Sequence, residues 1–124
     1  MPEGNNERPQ AEIQLSPLYR GIDILAAVIV LGMTIWLVFI WQDLPAEVPI
    51  HFGFSGSPDA WGSKDTLGFL PAIAVVMYLV LSYFGARPQM ANYPWPITEQ
   101  NAPDQYRLVR QMMVWVKLET VAMF

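Results

Sequence analysis

Two long apolar runs, separated by a short segment of mixed aromatic, glycine and polar residues, dominate the pattern of this chain. From Ile22 to Trp41 (IDILAAVIVLGMTIWLVFIW) the only charge is Asp23, at the edge of the run. About 20 such residues is the length a helix needs to cross a hydrocarbon core ~30 Å thick. Ser16-Pro17 before the run is helix-start chemistry, with Ser16 as N-cap and Pro17 at the first helical position. Trp36 and Trp41 lie toward its far end and Tyr19 just outside its near end, where amphipathic rings favour a membrane interface. The second run, Thr66 to Phe84, has no charge. Pro71 falls in its first turn, where a missing N–H costs little, and Gly85-Ala86-Arg87-Pro88 ends it. A cleaved signal peptide is the rival reading of the first run. That run starts too late, is too long, follows an acidic tail and lacks a small-residue cleavage pattern.

The remaining segments complete an all-α integral membrane architecture. Residues 1–15 are polar, carry Pro2 and Pro9 and show no apolar period, which predicts a flexible tail. The first transmembrane helix is placed at 16–41, a compact loop at 42–66, the second transmembrane helix at 67–86 and a connector at 87–103 containing Pro94, Pro96 and Pro103. Residues 104–124 read as a helix with Val109, Met112, Val116 and Met123 along one stripe. Lys117 and Glu119 interrupt its apolar part, and a central charge costs roughly 2.5–3.5 kcal/mol on the insertion scale. The segment is therefore either an amphipathic helix or the start of a third span. The chain stops at Ala122-Met123-Phe124 without cap, charge or turn signal, which suggests an incomplete chain.

Composition agrees with this pattern and removes several functional classes. Of the 124 residues, 53% are hydrophobic and 15% charged, an imbalance that fits apolar runs better than a soluble core. A net charge of −4 with few, scattered Lys and Arg provides no surface for nucleic acid. The absence of cysteine excludes disulfides and thiolate chemistry. Arg8 and Arg20 precede the first run and Arg87, Arg107 and Arg110 follow the second, whereas Lys64 is the only basic residue of the loop. The positive-inside rule then places the termini in the cytoplasm and the loop outside the cytoplasmic membrane.

The loop has more information than a linker. Pro45 and Pro49 force extended backbone before themselves, and Ile50-His51-Phe52-Gly53-Phe54 alternates like a short strand. Gly53, Gly56 and Gly62 permit left-handed backbone, and Ser57-Pro58-Asp59 is turn chemistry. The set Leu44-Pro45, Val48-Pro49, His51-Phe52, Gly56, Pro58-Asp59, Trp61-Gly62 and Lys64 resembles the signature loop of a bacterial membrane-domain family of unknown function. That family also forms the N-terminal part of SdpI-type immunity proteins, which protect a producer from its own killing peptide. The resemblance runs on into Asn92-Tyr93-Pro94 and Ile97-Thr98, over roughly residues 22–110. It implies a multi-span helical protein, of which this chain lacks the second half, and identifies a domain rather than an activity.

The candidate interaction site is His51, Phe52, Asp59, Trp61 and Lys64. In the functional reading, Asp59 accepts and Lys64 donates to a peptide, ion or partner. In the architectural reading, which loop structure favours, Asp59 caps a turn, Lys64 anchors at headgroup level and His51 bonds a loop carbonyl. Phe52, Phe54 and Trp61 can form an aromatic cap on the membrane interface. One imidazole with nearby carboxylates does not supply a zinc site, and no cofactor motif is present. Asp23, one turn from Arg20, is expected to pair with it, and Gly32 with Ala26 and Ala27 to permit close helix approach. No nucleophile–base pair appears, so the chain is expected to be non-catalytic. The expected partners are the lipid bilayer, other membrane subunits or a second copy, and a peptide ligand. The leading function is SdpI-like immunity or sensing through the loop; the alternative is an accessory subunit of a larger membrane complex.

Overall fold

A computed structural model of the chain describes residues 8–124. It contains helix α1 (Pro17–Ile40), strands β1 (Glu47–Phe52) and β2 (Pro58–Ser63), helix α2 (Phe69–Gly85) and helix α3 (Ala102–Ala122). Short 3-10 turns at Lys64–Gly68 and Pro88–Met90 precede and follow α2. The structure is mostly helical, and one part of the all-α expectation is corrected: the 42–66 loop holds a two-stranded antiparallel sheet. Pro45, Pro49 and Pro58 exclude helix there, and paired strands are what remains to satisfy the backbone.

Both apolar runs form helices long and apolar enough to cross a membrane. In their most apolar stretches only 11% and 6% of the residues are buried, so neither is the core helix of a soluble fold. Leu18, Ile24, Leu31, Trp36, Val38 and Phe39 stand exposed on α1, and Phe69, Ile73, Val76 and Leu79 on α2. Ser16 is the N-cap of α1 with Pro17 behind it, although its hydroxyl makes no cap bond. At α3, Asn101 and Thr98 exchange bonds: the Thr98 amide donates to Asn101 Oδ1 at 2.9 Å and the Asn101 amide to Thr98 Oγ1 at 3.4 Å.

The three helices pack through small residues. Ala26 and Val30 of α1, Ala74 of α2 and Val121 of α3 form the buried core, flanked by Ile29, Met33, Tyr78 and Leu118. α3 therefore runs alongside α1 in the same direction and reaches about half-way up it. Gly85 lets α3 approach α2, since a Cβ there would lie 3.3 Å from Met113 Cβ. Gly32, expected to permit helix approach, instead faces open space.

Lys117, read from sequence as an obstacle to burying α3, is only 4% exposed. Its ammonium donates to Asp23 Oδ1 at 2.5 Å and lies 4.8 Å from the centre of the Tyr78 ring. The expected Asp23–Arg20 pair does not form; Arg20 Nε donates to the Leu15 carbonyl at 3.0 Å.

Residues 8–15, expected as part of a flexible tail, form a strap across the start of α3; residues 1–7 lie outside the described residues. Ile13 is buried with Ala102 and Tyr106, against Ala11, Tyr93 and Ile97. The Tyr106 hydroxyl donates to the Pro9 carbonyl at 2.9 Å, Arg8 to the carbonyls of Gln89 (2.7 Å) and Ala91 (2.5 Å), and Arg110 to that of Ile13. Thus three polar side chains fasten the strap through its backbone or its own guanidinium.

The buried pair generates the first prediction. Asp23→Ala should destabilise the full chain by about 3 kcal/mol, the low end for a broken buried pair because Asp23 keeps a third of its side chain exposed. Asp23→Leu combined with Lys117→Met should recover most of that loss in thermal unfolding in detergent. A double variant as unstable as the sum of the singles would refute the assignment.

A second prediction concerns Tyr93, whose hydroxyl donates to the Pro88 carbonyl at 2.9 Å. Its phenol is raised above the ordinary value, chiefly by burial and next by Tyr106, against the opposing Arg8 guanidinium. The fold favours the neutral phenol, so this contribution is complete below pH ~10, the unfolded value, and is lost as pH rises through the higher folded value. Tyr93→Phe should remove one late-titrating phenolate absorbance and flatten the alkaline loss of stability.

Candidate functional site

The hairpin is built from its turn outward. Gly56 has φ +76°, and its amide donates to the Gly53 carbonyl at 2.9 Å while the Gly53 amide donates to Ser57 at 3.0 Å. A left-handed residue after a tight turn lets a short loop join two twisted strands, and a side chain there costs about 1–2 kcal/mol. The register pairs Glu47 with Ser63, Val48 with Gly62 and Pro49 with Trp61, then shifts so that His51 faces Ala60 and Phe52 faces Pro58. Two compensating irregularities, at Ile50 and Asp59, bring His51 and Asp59 together across the strands.

Of the five candidate residues, the structure joins two in a direct bond. His51 Nδ1 lies 2.5 Å from Asp59 Oδ1, with the ring N–H donating to the carboxylate. Asp59 thus meets an imidazole rather than capping a turn, and His51 meets a carboxylate rather than a loop carbonyl. The two side chains are 69% and 51% exposed, so their pair contributes at most about 1 kcal/mol. With Phe52, Gly53 and Phe54 they line a shallow depression of about 320 Å³.

Lys64 is elsewhere, at the foot of the hairpin. Its ammonium donates to the carbonyls of Trp41 (2.9 Å) and Leu44 (3.4 Å) and lies 5.2 Å from the Trp41 ring centre. Its amide donates to the Ala46 carbonyl at 2.9 Å, closing the base of the strands. Lys64 therefore fixes the hairpin to the end of α1 and does not face His51 and Asp59 as one donor–acceptor set. Ser63 supports this foot by accepting from the Asp65 amide at 3.2 Å.

The other end of the hairpin is apolar. Phe54 at the tip is fully exposed (116%), and Ile50, Phe52 and Trp61 are each more than half exposed. Exposed large apolar side chains on both faces of a short, hydrogen-bonded ribbon are suited to contact with other apolar surfaces. Sequence reading found Phe52 and Trp61, but not that Ile50 is exposed as well, with its side chain over Gly62. The shift of register at Ile50 is what a strict alternation pattern misses.

Comparison with known proteins bears on this same segment. Residues 28–75, from within α1 through the hairpin and into α2, match the profile of a family described as a domain of unknown function (DUF1648). An uncharacterized protein of Archaeoglobus fulgidus is 34% identical over 70 residues, a match covering 48% of this chain and 38% of that protein. This chain therefore spans well under half the length of that relative. No solved structure matches the chain. The matched segment is centred on the hairpin.

The tip geometry sets a third prediction. Gly56→Val should speed hydrogen exchange of the Gly53 and Gly56 amides about 10-fold, the equivalent of roughly 1.4 kcal/mol. Gly56→Asn, which tolerates a left-handed backbone, should give a smaller effect. Equal exchange in all three chains would overturn the role given to Gly56.

Proposed function

We propose that this is a non-catalytic integral protein of the bacterial cytoplasmic membrane, with its strap and α3 start in the cytoplasm and its hairpin outside. The hairpin tip acts as a binding surface, and its most concrete role is SdpI-like immunity or sensing toward a membrane-active peptide. The observation that carries the reading is the exposure of Ile50, Phe52, Phe54 and Trp61 on a ribbon fixed to α1 by Lys64. Exposed aromatic residues on a pre-ordered scaffold bind apolar peptide faces with little ordering cost. The likeness of the loop to that of SdpI-type proteins supports the same reading, and the distribution of Arg and Lys supports the orientation.

A second reading, an accessory subunit of a larger membrane complex, is favoured by a different observation. At the hairpin end, Thr34, Leu37, Val38, Trp41, Gly68 and Pro71 line an apolar cleft between α1 and α2. Migration in native gels in mild detergent separates the two, since a subunit moves with a large assembly.

The chain has no cysteine, so orientation and binding are open to a single-site test. Ser55→Cys should react with a membrane-impermeant maleimide in intact cells, and Glu99→Cys only after lysis. A photo-cross-linker at Ser55 should capture an added membrane-active peptide, and Phe54→Ser with Trp61→Ser should reduce capture at least ~10-fold, equivalent to roughly 1.4 kcal/mol. Unchanged peptide sensitivity of cells lacking the protein would count against the immunity role, and reversed labelling against the orientation.

A further inference from the structure

The end of the molecule opposite the hairpin holds a second polar site. An open cavity of about 770 Å³ lies between the strap, the first turn of α1, the Ala86–Gln89 corner and α3. Arg20 and Arg110 line it, together with Gln10, Gln14 and Gln89, and Glu12 is its one carboxylate among the described residues. A smaller cavity of about 160 Å³ shares Leu15, Ala86 and Arg110 with the first and reaches Asp23, Ser82 and Lys117.

Cationic side chains outnumber carboxylates along this path: Arg20, Arg110 and Lys117 against Glu12 and Asp23 among the described residues. Arg20 Nε donates to the Leu15 carbonyl and Arg110 to the Ile13 carbonyl, both neutral acceptors. Among the described residues neither guanidinium has a carboxylate partner. A guanidinium carries five N–H donors arranged as a planar fork that matches oxyanions. Deeper in, Asp23 is already engaged by Lys117, and Ser82 Oγ is buried without a hydrogen-bond partner among the described residues. The inner cavity is large enough for more than one water, which would satisfy that hydroxyl. In the outer cavity two guanidinium groups stand against the single carboxylate of Glu12 among the described residues, which leaves room for a second acceptor with negative charge.

Position along the helix narrows its chemistry. Arg20 is in the first turn of α1, just before the uncharged stretch that follows Asp23, so in a bilayer it sits at headgroup level. Lipid phosphates lie at that depth, and basic pockets between membrane helices hold them. We infer that Arg20 and Arg110 form a binding site for a phosphate oxyanion, filled by the headgroup of an anionic phospholipid. The strap forms one wall of the site, so an occupied site ties residues 10–15 to α1 and α3 through the ligand as well as through Ile13. This inference rests on the membrane reading above and not on the role of the hairpin.

The test uses the full chain in neutral detergent, with native mass spectrometry of lipid binding. Phosphatidylglycerol should bind at least ~10-fold more tightly than phosphatidylcholine, whose choline offsets the same phosphodiester. Arg20→Gln with Arg110→Gln should abolish that preference. Arg110→Lys, which keeps the charge, should retain part of it if strap packing is disturbed but the site is real. Arg107→Gln, outside the cavity and paired with Asp104, should change nothing. Binding of inorganic phosphate, lost in the double variant, without lipid preference would support the phosphate site and assign it to a soluble ligand. Equal binding of both lipids with no phosphate binding, or equal losses from Arg107→Gln and the double variant, would overturn it. Retention of the variants in carbonate-washed membranes separates failure of the site from failure of the membrane reading.

Discussion

A single ion pair decides how the three helices are arranged. Without a partner, Lys117 in the apolar half of α3 would have to reach for water, and α3 would have to lie away from α1 and α2. Asp23 removes that constraint. With the ammonium neutralised at 2.5 Å and placed over the Tyr78 ring, the next turn can put Val121 among Ala26, Val30 and Ala74. The pair is costly to desolvate, and its value lies in direction: it allows one rotation and one height of α3 relative to α1. The close Gly85–Met113 approach and the strap over Tyr106 accompany that placement of α3.

The two ends of the molecule are built on different principles. At one end, side chains bind backbone carbonyls across long sequence separations, with Arg8, Tyr106 and Arg110 all acting between the strap and its surroundings. At the other, order is local: a hairpin of about seventeen residues holds its shape by its own ladder and a left-handed glycine, and Lys64 attaches it. A local device keeps its form independently of how the helices pack. A long-range one depends on all three helices being in place.

These differences also explain what the sequence reveals. The two apolar helices are legible because hydropathy is a property of consecutive residues, and Pro17 and Pro71 mark their starts. The alternation around Ile50 to Phe54 exposes one strand, yet its partner Pro58–Ser63 is hidden behind turn-like Ser-Pro-Asp chemistry. The Asp23–Lys117 contact crosses 94 positions, and Arg20 stands one turn from Asp23 as a plausible local partner. Nothing in spacing tells which cation wins; the packing of α3 does. The strap is equally silent, because its anchors are mostly backbone carbonyls, which every sequence possesses.

The attachment of the hairpin has a mechanical consequence. Lys64 grips the carbonyls of Trp41 and Leu44, just beyond the C-terminal end of α1, where the helix dipole favours a cation. Hairpin and α1 are thereby coupled as one lever, with the ammonium as the joint. A sideways load on Phe54 is delivered to the top of α1, and along that rigid rod to Asp23 near its foot, where the grip on α3 resists it.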